Sequence, residues 1–293
     1  MSGHAQSAAS PQFMMINTTR VGTLQSELAV AGQKGFAVIA SGDFAVVLQQ
    51  DGKGPRTYQV VAPDDSNLLS QQLNSVAADG FRVVRAGVWK LGGRIAVILE
   101  HQSDGSRFAY DVVEVDDKGA QVSGAERASA IESRVIMERR QGGQEATAPR
   151  IEYRKVSASR PGTLQDNIVS AAAAGFRVVG AGKMTVVMER NPAVPAPSTD
   201  YRVLAVARLP TLRREIQSAA AEGFEIAVIP TRDNEFLAVL ERPSGTARKF
   251  DYVVEAVGEK NVDQKLRALA MDGYVVERIS GIGTLAFARR SAR

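Results

Sequence analysis

Apolar residues recur along this chain in one order: a short alternating run around an aromatic, a stripe at helical spacing, then two more alternating runs. Leu164, Ile168, Ala171 and Ala172 fall at i, i+4, i+7 and i+8, and Leu212, Ile216, Ala219 and Ala220 repeat that spacing. Such a stripe is the buried face of an amphipathic helix. Thr163 and Thr211 stand just before the stripes and are read as N-caps. Eleven residues after the first apolar position comes Gly and then an aromatic: Leu24 with Gly35-Phe36, Leu69 with Gly80-Phe81, Leu164 with Gly175-Phe176, Leu212 with Gly223-Phe224, Val262 with Gly273-Tyr274. Gly tolerates the left-handed backbone that ends many helices, and the aromatic can fold back on the last turn. The spacing therefore predicts helices ending within two residues of each of these glycines.

First strands are predicted around Phe13, Tyr58, Tyr153, Tyr201 and Tyr252; the interval to the Gly is 22 residues in four cases and 21 in the last. Paired strands follow the Gly, such as 176–179 and 185–188 joined by Gly180-Ala181-Gly182. Val178 and Val179, like Val186 and Val187, point to opposite faces. One helix covers only one face, so the other must pack on a neighbouring unit.

A fixed period of this kind means tandem copies of one supersecondary unit. The expected fold class is α+β: six tandem β-α-β-β units, antiparallel sheets with helices on one face, paired as sandwiches or closed into a propeller-like ring. The expected layout is a disordered tail at 1–11, repeats at 12–50 and 56–102, a degenerate repeat at 107–140, and a linker at 141–150. Repeats follow at 151–190, 200–242 and 249–290, with a Pro-rich linker at 191–199. The third repeat lacks the Gly-aromatic step, and Tyr110 to Glu138 spans 28 residues against 36 for Tyr153 to Glu189. Its stretch Gly119–Ile131 is expected to hold a shortened helix or a loop.

The pattern Tyr-x-Val-Val, a Leu-x3-Leu helix, Gly-aromatic and a last strand ending in Glu-Arg resembles a bacterial family, domain of unknown function 4177. The likeness covers Phe13–Gln50, Tyr58–Glu100, Tyr153–Arg190, Tyr201–Arg242 and Tyr252–Arg289. That family usually places Trp after the Gly, where this chain has Phe or Tyr. The resemblance implies a fold and carries no catalytic residues. In a permuted frame the unit order is also similar to the α/β-propeller of the pentein type, whose arginine-modifying enzymes need a Cys that this chain lacks.

Composition narrows the chemistry. The 293 residues include no Cys, which removes disulfides, thiolate nucleophiles and Cys-based metal sites. Of two histidines, His4 lies in the tail and His101 at a strand end, so a zinc site is not expected. No cofactor or metal is expected. Gly180-Ala181-Gly182-Lys183 fails as a phosphate loop because Arg177 stands where the first Gly belongs and Met184 where Ser or Thr belongs. Gly281-Ile282-Gly283 lacks the third Gly of a dinucleotide fingerprint. Net charge is +4, but Lys and Arg are interleaved with acids, so a nucleic-acid partner is not the leading reading. No stretch is long and apolar enough to span a bilayer. Gly3-His4-Ala5-Gln6 resembles the small-residue end of an export signal, which implies a periplasmic or secreted protein, with a cytoplasmic one as the alternative.

Residues that depart from the packing pattern are the contact candidates: Trp89 and Lys90 in the longest hairpin, and Arg134 in the degenerate repeat. The acids Asp111, Glu114, Asp251 and Glu255 beside the first-strand tyrosines could line one face of a ring. The leading functional expectation is a non-enzymatic repeat scaffold or binding protein, with a protein or envelope component as partner and oligomers allowed. The alternatives are an enzyme with a site of Asp, Glu, Arg and Tyr at repeat junctions, and a weak nucleic-acid binder.

Overall fold

The computed structural model describes residues 11–42, 45–142, 150–195, 198–245, 248–280 and 285–291. Residues 1–10 of the expected tail, 143–149 of the expected linker and Gly281-Ile282-Gly283 fall outside them. The N-terminal elements are β1 (Phe13–Asn17), α1 (Val21–Gln33), β2 (Phe36–Gly42) and β3 (Ala45–Gln50), then β4 (Tyr58–Val61), α2 (Leu69–Ala78), β5 (Phe81–Leu91) and β6 (Arg94–His101). Next come β7 (Phe108–Glu114), β8 (Ala120–Val122), β9 (Glu126–Ile131) and β10 (Arg134–Arg140), then β11 (Ile151–Ser157), α3 (Pro161–Ala173), β12 (Arg177–Gly182) and β13 (Thr185–Arg190). The C-terminal elements are β14 (Thr199–Val206), α4 (Leu209–Ala221), β15 (Glu225–Val228) and β16 (Phe236–Pro243), then β17 (Phe250–Ala256), α5 (Val262–Met271), β18 (Val275–Ser280) and β19 (Leu285–Ser291).

The architecture is mixed α+β and mostly antiparallel. Four sheets have three strands, in the orders β1-β3-β2, β4-β6-β5, β14-β16-β15 and β17-β19-β18; a fifth has seven, β7-β10-β9-β12-β13-β11-β8. The last strand of each segment lies between the first strand and the one before it and is buried on both faces. Val186, Val187 and Met188 are all fully buried, as are Val97, Ile98 and Leu99. A strand with no solvent face reads as a continuous apolar run.

The helices end where the Gly-aromatic step requires. Gly175, Gly223 and Gly273 have φ of 87°, 93° and 82°. In each case the Gly N–H and the next N–H reach back to the last turn, as in Phe176 to the Ala171 carbonyl at 3.1 Å and Gly175 to the Ala172 carbonyl at 2.8 Å. These are Schellman caps. The helix starts need correction: α3 begins at Pro161 and α4 at Leu209, with Arg160 and Arg208 at the N-cap. Thr163 and Thr211 lie inside the first turn, because Pro161 and Pro210 already supply the backbone angle that starts a helix.

Two further expectations are corrected. Gly180-Ala181-Gly182 is strand, and the turn is Lys183-Met184, with Met184 at φ 48°. Gly is required there by a neighbour: a Cβ on Gly180 would lie 2.6 Å from Ala130 Cβ, and one on Gly182 2.8 Å from Glu132 Cα. Strand β9 runs against β12 in parallel, with Ala181 opposite Ile131. Within Gly119–Ile131 there is neither a helix nor a plain loop but two strands, β8 and the whole of β9.

Each helix packs on the first strand of the following segment: α1 on β4, α2 on β7, α3 on β14, α4 on β17, and α5 on β1. A helix amide then pairs with that strand's open edge. Gln165 donates to the Tyr201 carbonyl at 2.8 Å and accepts from Val203 N–H. Gln25 does the same at Tyr58 and Val60, and Asn74 at both backbone groups of Tyr110. Strand β8 replaces the helix at β11 and pairs with it by backbone, Ala120 opposite Tyr153. At the chain's two ends, Phe13 N–H donates to Asp263 Oδ1 at 2.8 Å, and β18 packs against β2.

Candidate functional site

The second strand of every segment carries a β-bulge. The unpaired residue is Ile39, Ala128, Val179, Ala227 or Glu277, and β5 has a longer break between Val83 and Val88. Bulges bend a strand and re-aim its side chains. Next to the bulge, a backbone N–H donates to the tyrosine hydroxyl of the following segment: Val83 to Tyr110 at 2.9 Å, Val178 to Tyr201 at 3.0 Å, Ile226 to Tyr252 at 3.1 Å. Tyr110, Tyr201 and Tyr252 donate their own protons to Glu138, Glu241 and Glu277. Burial raises these phenols well above the ordinary tyrosine range. The recurring tyrosine is thus a latch between neighbours and stays protonated.

Ion pairs also cross between segments. Arg82 holds Glu138 through two nitrogens, at 2.7 and 3.0 Å, and Arg127 holds Glu189 at 2.7 Å. Glu225 and Arg289 pair with the signs reversed. Burial alone would raise Glu189, but hydrogen bonds and charge from Arg127 and then Arg177 outweigh it and lower its pKa. Glu241 and Glu277 are raised: burial dominates in both, and the Glu225 charge adds to it. In the pairs Glu189-Arg190 and Glu241-Arg242 that end last strands, the Glu joins these contacts and the Arg caps a helix. Arg190 donates to the Ala174 carbonyl at 2.9 Å and Arg242 to that of Glu222 at 3.2 Å, and each lies over the Phe after the Gly. His101 takes this Arg position in its segment and packs edge-on against Phe81 with ring centroids 5.2 Å apart.

The second strands β2, β5, β9, β12, β15 and β18 together line one cavity of about 660 Å³. Its wall includes small residues such as Ala40, Ser129, Gly180 and Ala181, and charged ones such as Arg85, Arg127 and Arg278. Among the candidates from the sequence, Trp89 and Lys90 border this cavity and Arg134 does not. Trp89 is 3% exposed and packs in the core, and its indole nitrogen has no hydrogen-bond partner among the described residues. Lys90 pairs with Glu132 at 2.8 Å and Arg134 with Glu114 at 2.9 Å. Asp111, Asp251 and Glu255 are likewise taken up by Arg139, Arg290 and Lys265. Arg85 and Arg278 are not among the sequence candidates, although a signal for them exists. Counted from the aromatic after the Gly, both occupy the position filled by Ala40, Gly180 and Val228 elsewhere.

Among the described residues no cluster of His, Asp or Glu has the makeup of a metal site, and no helix is long and apolar enough to cross a membrane. Comparison of the chain with protein-family models, curated proteins and solved structures finds no match in any of the three.

Proposed function

We propose that the chain is six tandem β-α-β-β units, the third with a strand in place of its helix, closed into a propeller-like ring. We further propose that it serves as a non-enzymatic binding protein whose ligand site is the cavity on the ring axis. The observation that carries this reading is the shared wall: the equivalent strand of every segment contributes to one cavity of about 660 Å³. That volume is in the range of small-molecule sites. The helix-to-next-strand contacts, with α5 on β1, support closure over paired sandwiches. The likeness to domain of unknown function 4177 and a periplasmic or secreted location belong to the same proposal and rest on sequence features alone. The nucleic-acid alternative has less support, because Arg56, Arg82, Arg127, Arg190 and Arg242 are each engaged by a carboxylate.

The test is native mass spectrometry against a defined panel of sugars, nucleotides, carboxylic acids and polyamines. The parent should retain at least one compound that Ser129→Trp, which fills the cavity, does not. Equal retention by both proteins, or retention by neither, defeats the reading. One observation favours an enzyme instead: Glu277 borders the cavity with a raised pKa, as a general acid requires. Turnover of a panel compound that is lost in Glu277→Gln would establish that alternative.

A further inference from the structure

We infer that the cavity takes a ligand with two or more negative groups, held between Arg85 and Arg278. This rests on the cavity being the ligand site. Position and packing carry it. Arg85 and Arg278 each stand four residues after the aromatic that follows the Gly, Arg85 in the irregular stretch of β5 between Val83 and Val88 and Arg278 just after the bulge of β18, and both strands pack against β2. At the matching place β2 has Ala40, followed by Ser41 and Gly42, so the wall between the two guanidinium-bearing strands is low. A Cβ on Gly42 would lie 2.8 Å from the Ile279 carbonyl oxygen, so nothing larger than Gly fits at that approach.

The remaining cations of the cavity are already neutralised. Lys90 is paired with Glu132 at 2.8 Å, Arg127 with Glu189 at 2.7 Å, and Lys183 with Asp233 at 2.7 Å. Among the described residues Arg85 forms no hydrogen bond or ion pair, and Arg278 donates only to the Ala227 carbonyl. Both side chains are exposed to the cavity. Two acids lie near enough for Arg278 to feel their charge: Glu277 is drawn to the Tyr252 hydroxyl and to Arg289, and Glu241 accepts from the Tyr201 hydroxyl. An arginine on a protein's outer surface loses little by having no partner, since water solvates it. Two lining a cavity, at positions that other segments fill with the uncharged Ala40, Gly180 and Val228, are placed for an anion. Guanidinium groups bind carboxylate and phosphate oxygens through paired N–H donors, and stay charged at all relevant pH. Two such groups separated by a small-residue wall match an anion with charges at two places better than a single compact one.

Isothermal titration with tripolyphosphate and with citrate tests the inference, with spermidine and maltotriose as the cationic and neutral probes. At least one of the two anions should bind saturably and the two controls should not. Arg85→Gln and Arg278→Gln should each weaken binding about tenfold or more, and Arg85→Lys by less. Arg214→Gln, a charge removed from the outer face of α4, should leave it unchanged. Arg85 has no partner among the described residues, so the thermal midpoint of Arg85→Gln should match the parent's, while Arg278→Gln gives up the bond to the Ala227 carbonyl and should lower it; Arg85→Gln thus separates lost binding from lost fold. Absence of saturable binding by both anions overturns the inference, as does binding that ignores both substitutions. If the anions fail while a neutral or cationic panel compound is retained and then lost in Ser129→Trp, the ligand class falls and the cavity reading survives. If Ser129→Trp changes nothing, both fall.

Discussion

The junction between β7–β10 and β11–β13 differs from the junction that follows it. At the second, α3 covers β14 and Gln165 satisfies two of that strand's edge groups. At the first there is no helix, and β8 pairs with β11 through the backbone itself. The two junctions differ in charge as well. Arg127 and Arg177 both bond Glu189. Glu241 at the second has, among the described residues, only the Tyr201 hydroxyl as a hydrogen-bond partner, and it lies beside the Glu225 charge. An edge strand needs its N–H and C=O groups satisfied, and either a side-chain amide or a neighbouring strand will do. A three-residue strand thus replaces a 13-residue helix, which accounts for the short span from Tyr110 to Glu138.

The largest expected effect comes from attacking the strand junction. A Cβ on Gly119 would lie 2.6 Å from the Tyr153 carbonyl oxygen, and its φ is +86°. Gly119→Val should cost about 3 kcal/mol in urea denaturation, strain and overlap together. If the cost is under about 1 kcal/mol, β8 does not hold β11. At the helix junction, Gln165→Ala leaves a carbonyl and an N–H of β14 without their partner and should cost about 1–3 kcal/mol by the same measurement. Gln121→Ala in β8 should cost under about 0.5 kcal/mol, since the backbone does the pairing there. Equal losses at the two sites would erase the distinction. Gly175→Val should cost about 1–2 kcal/mol, because a β-branched residue resists positive φ.

The charge difference should appear as opposite pH behaviour. Glu189 has a folded pKa below its unfolded value. Its contribution is therefore present above the unfolded pKa and is lost as pH falls through the folded one. Glu189→Gln should lower the thermal midpoint at pH 7, by less as the pH drops below about 4. Glu241 has a folded pKa above its unfolded value. Its contribution is present below the unfolded pKa and is lost as pH rises through the folded one. Glu241→Gln should therefore raise the midpoint at pH 7, and the gain should vanish as the pH falls toward 4. Parallel pH curves for the two variants would mean the junctions are electrostatically alike.

Much of the fold is legible in the order of residues. The Gly-aromatic step locates the ends of the five α-helices among the described residues because a C′ glycine is a local requirement, met by φ of 77° to 93° at those positions. The helix starts are harder to read, since Thr163 and Thr211 look like caps while Pro161 and Pro210 have already set the first turn. The strand at Ala120–Val122 is not legible, because three residues carry no period and owe their conformation to β11. Of the candidate contacts, Trp89 and Lys90 reach the cavity wall and Arg134 does not, while Arg85 and Arg278 reach it without having stood out. They become visible only when the segments are aligned on the Gly-aromatic step.

What the sequence by itself determined is the order of helix and strand in five of the segments, where the helices stop, and that each sheet needs a partner on both faces. Those properties depend on spacing and local backbone preference, which one segment contains in full. Only the tertiary structure decided where each helix goes, which tyrosine latches which bulge, and which side chains share the cavity. Those pairings join residues of different segments, as Phe13 with Asp263 or Arg278 with Ala227, and no local pattern encodes a partner that distant.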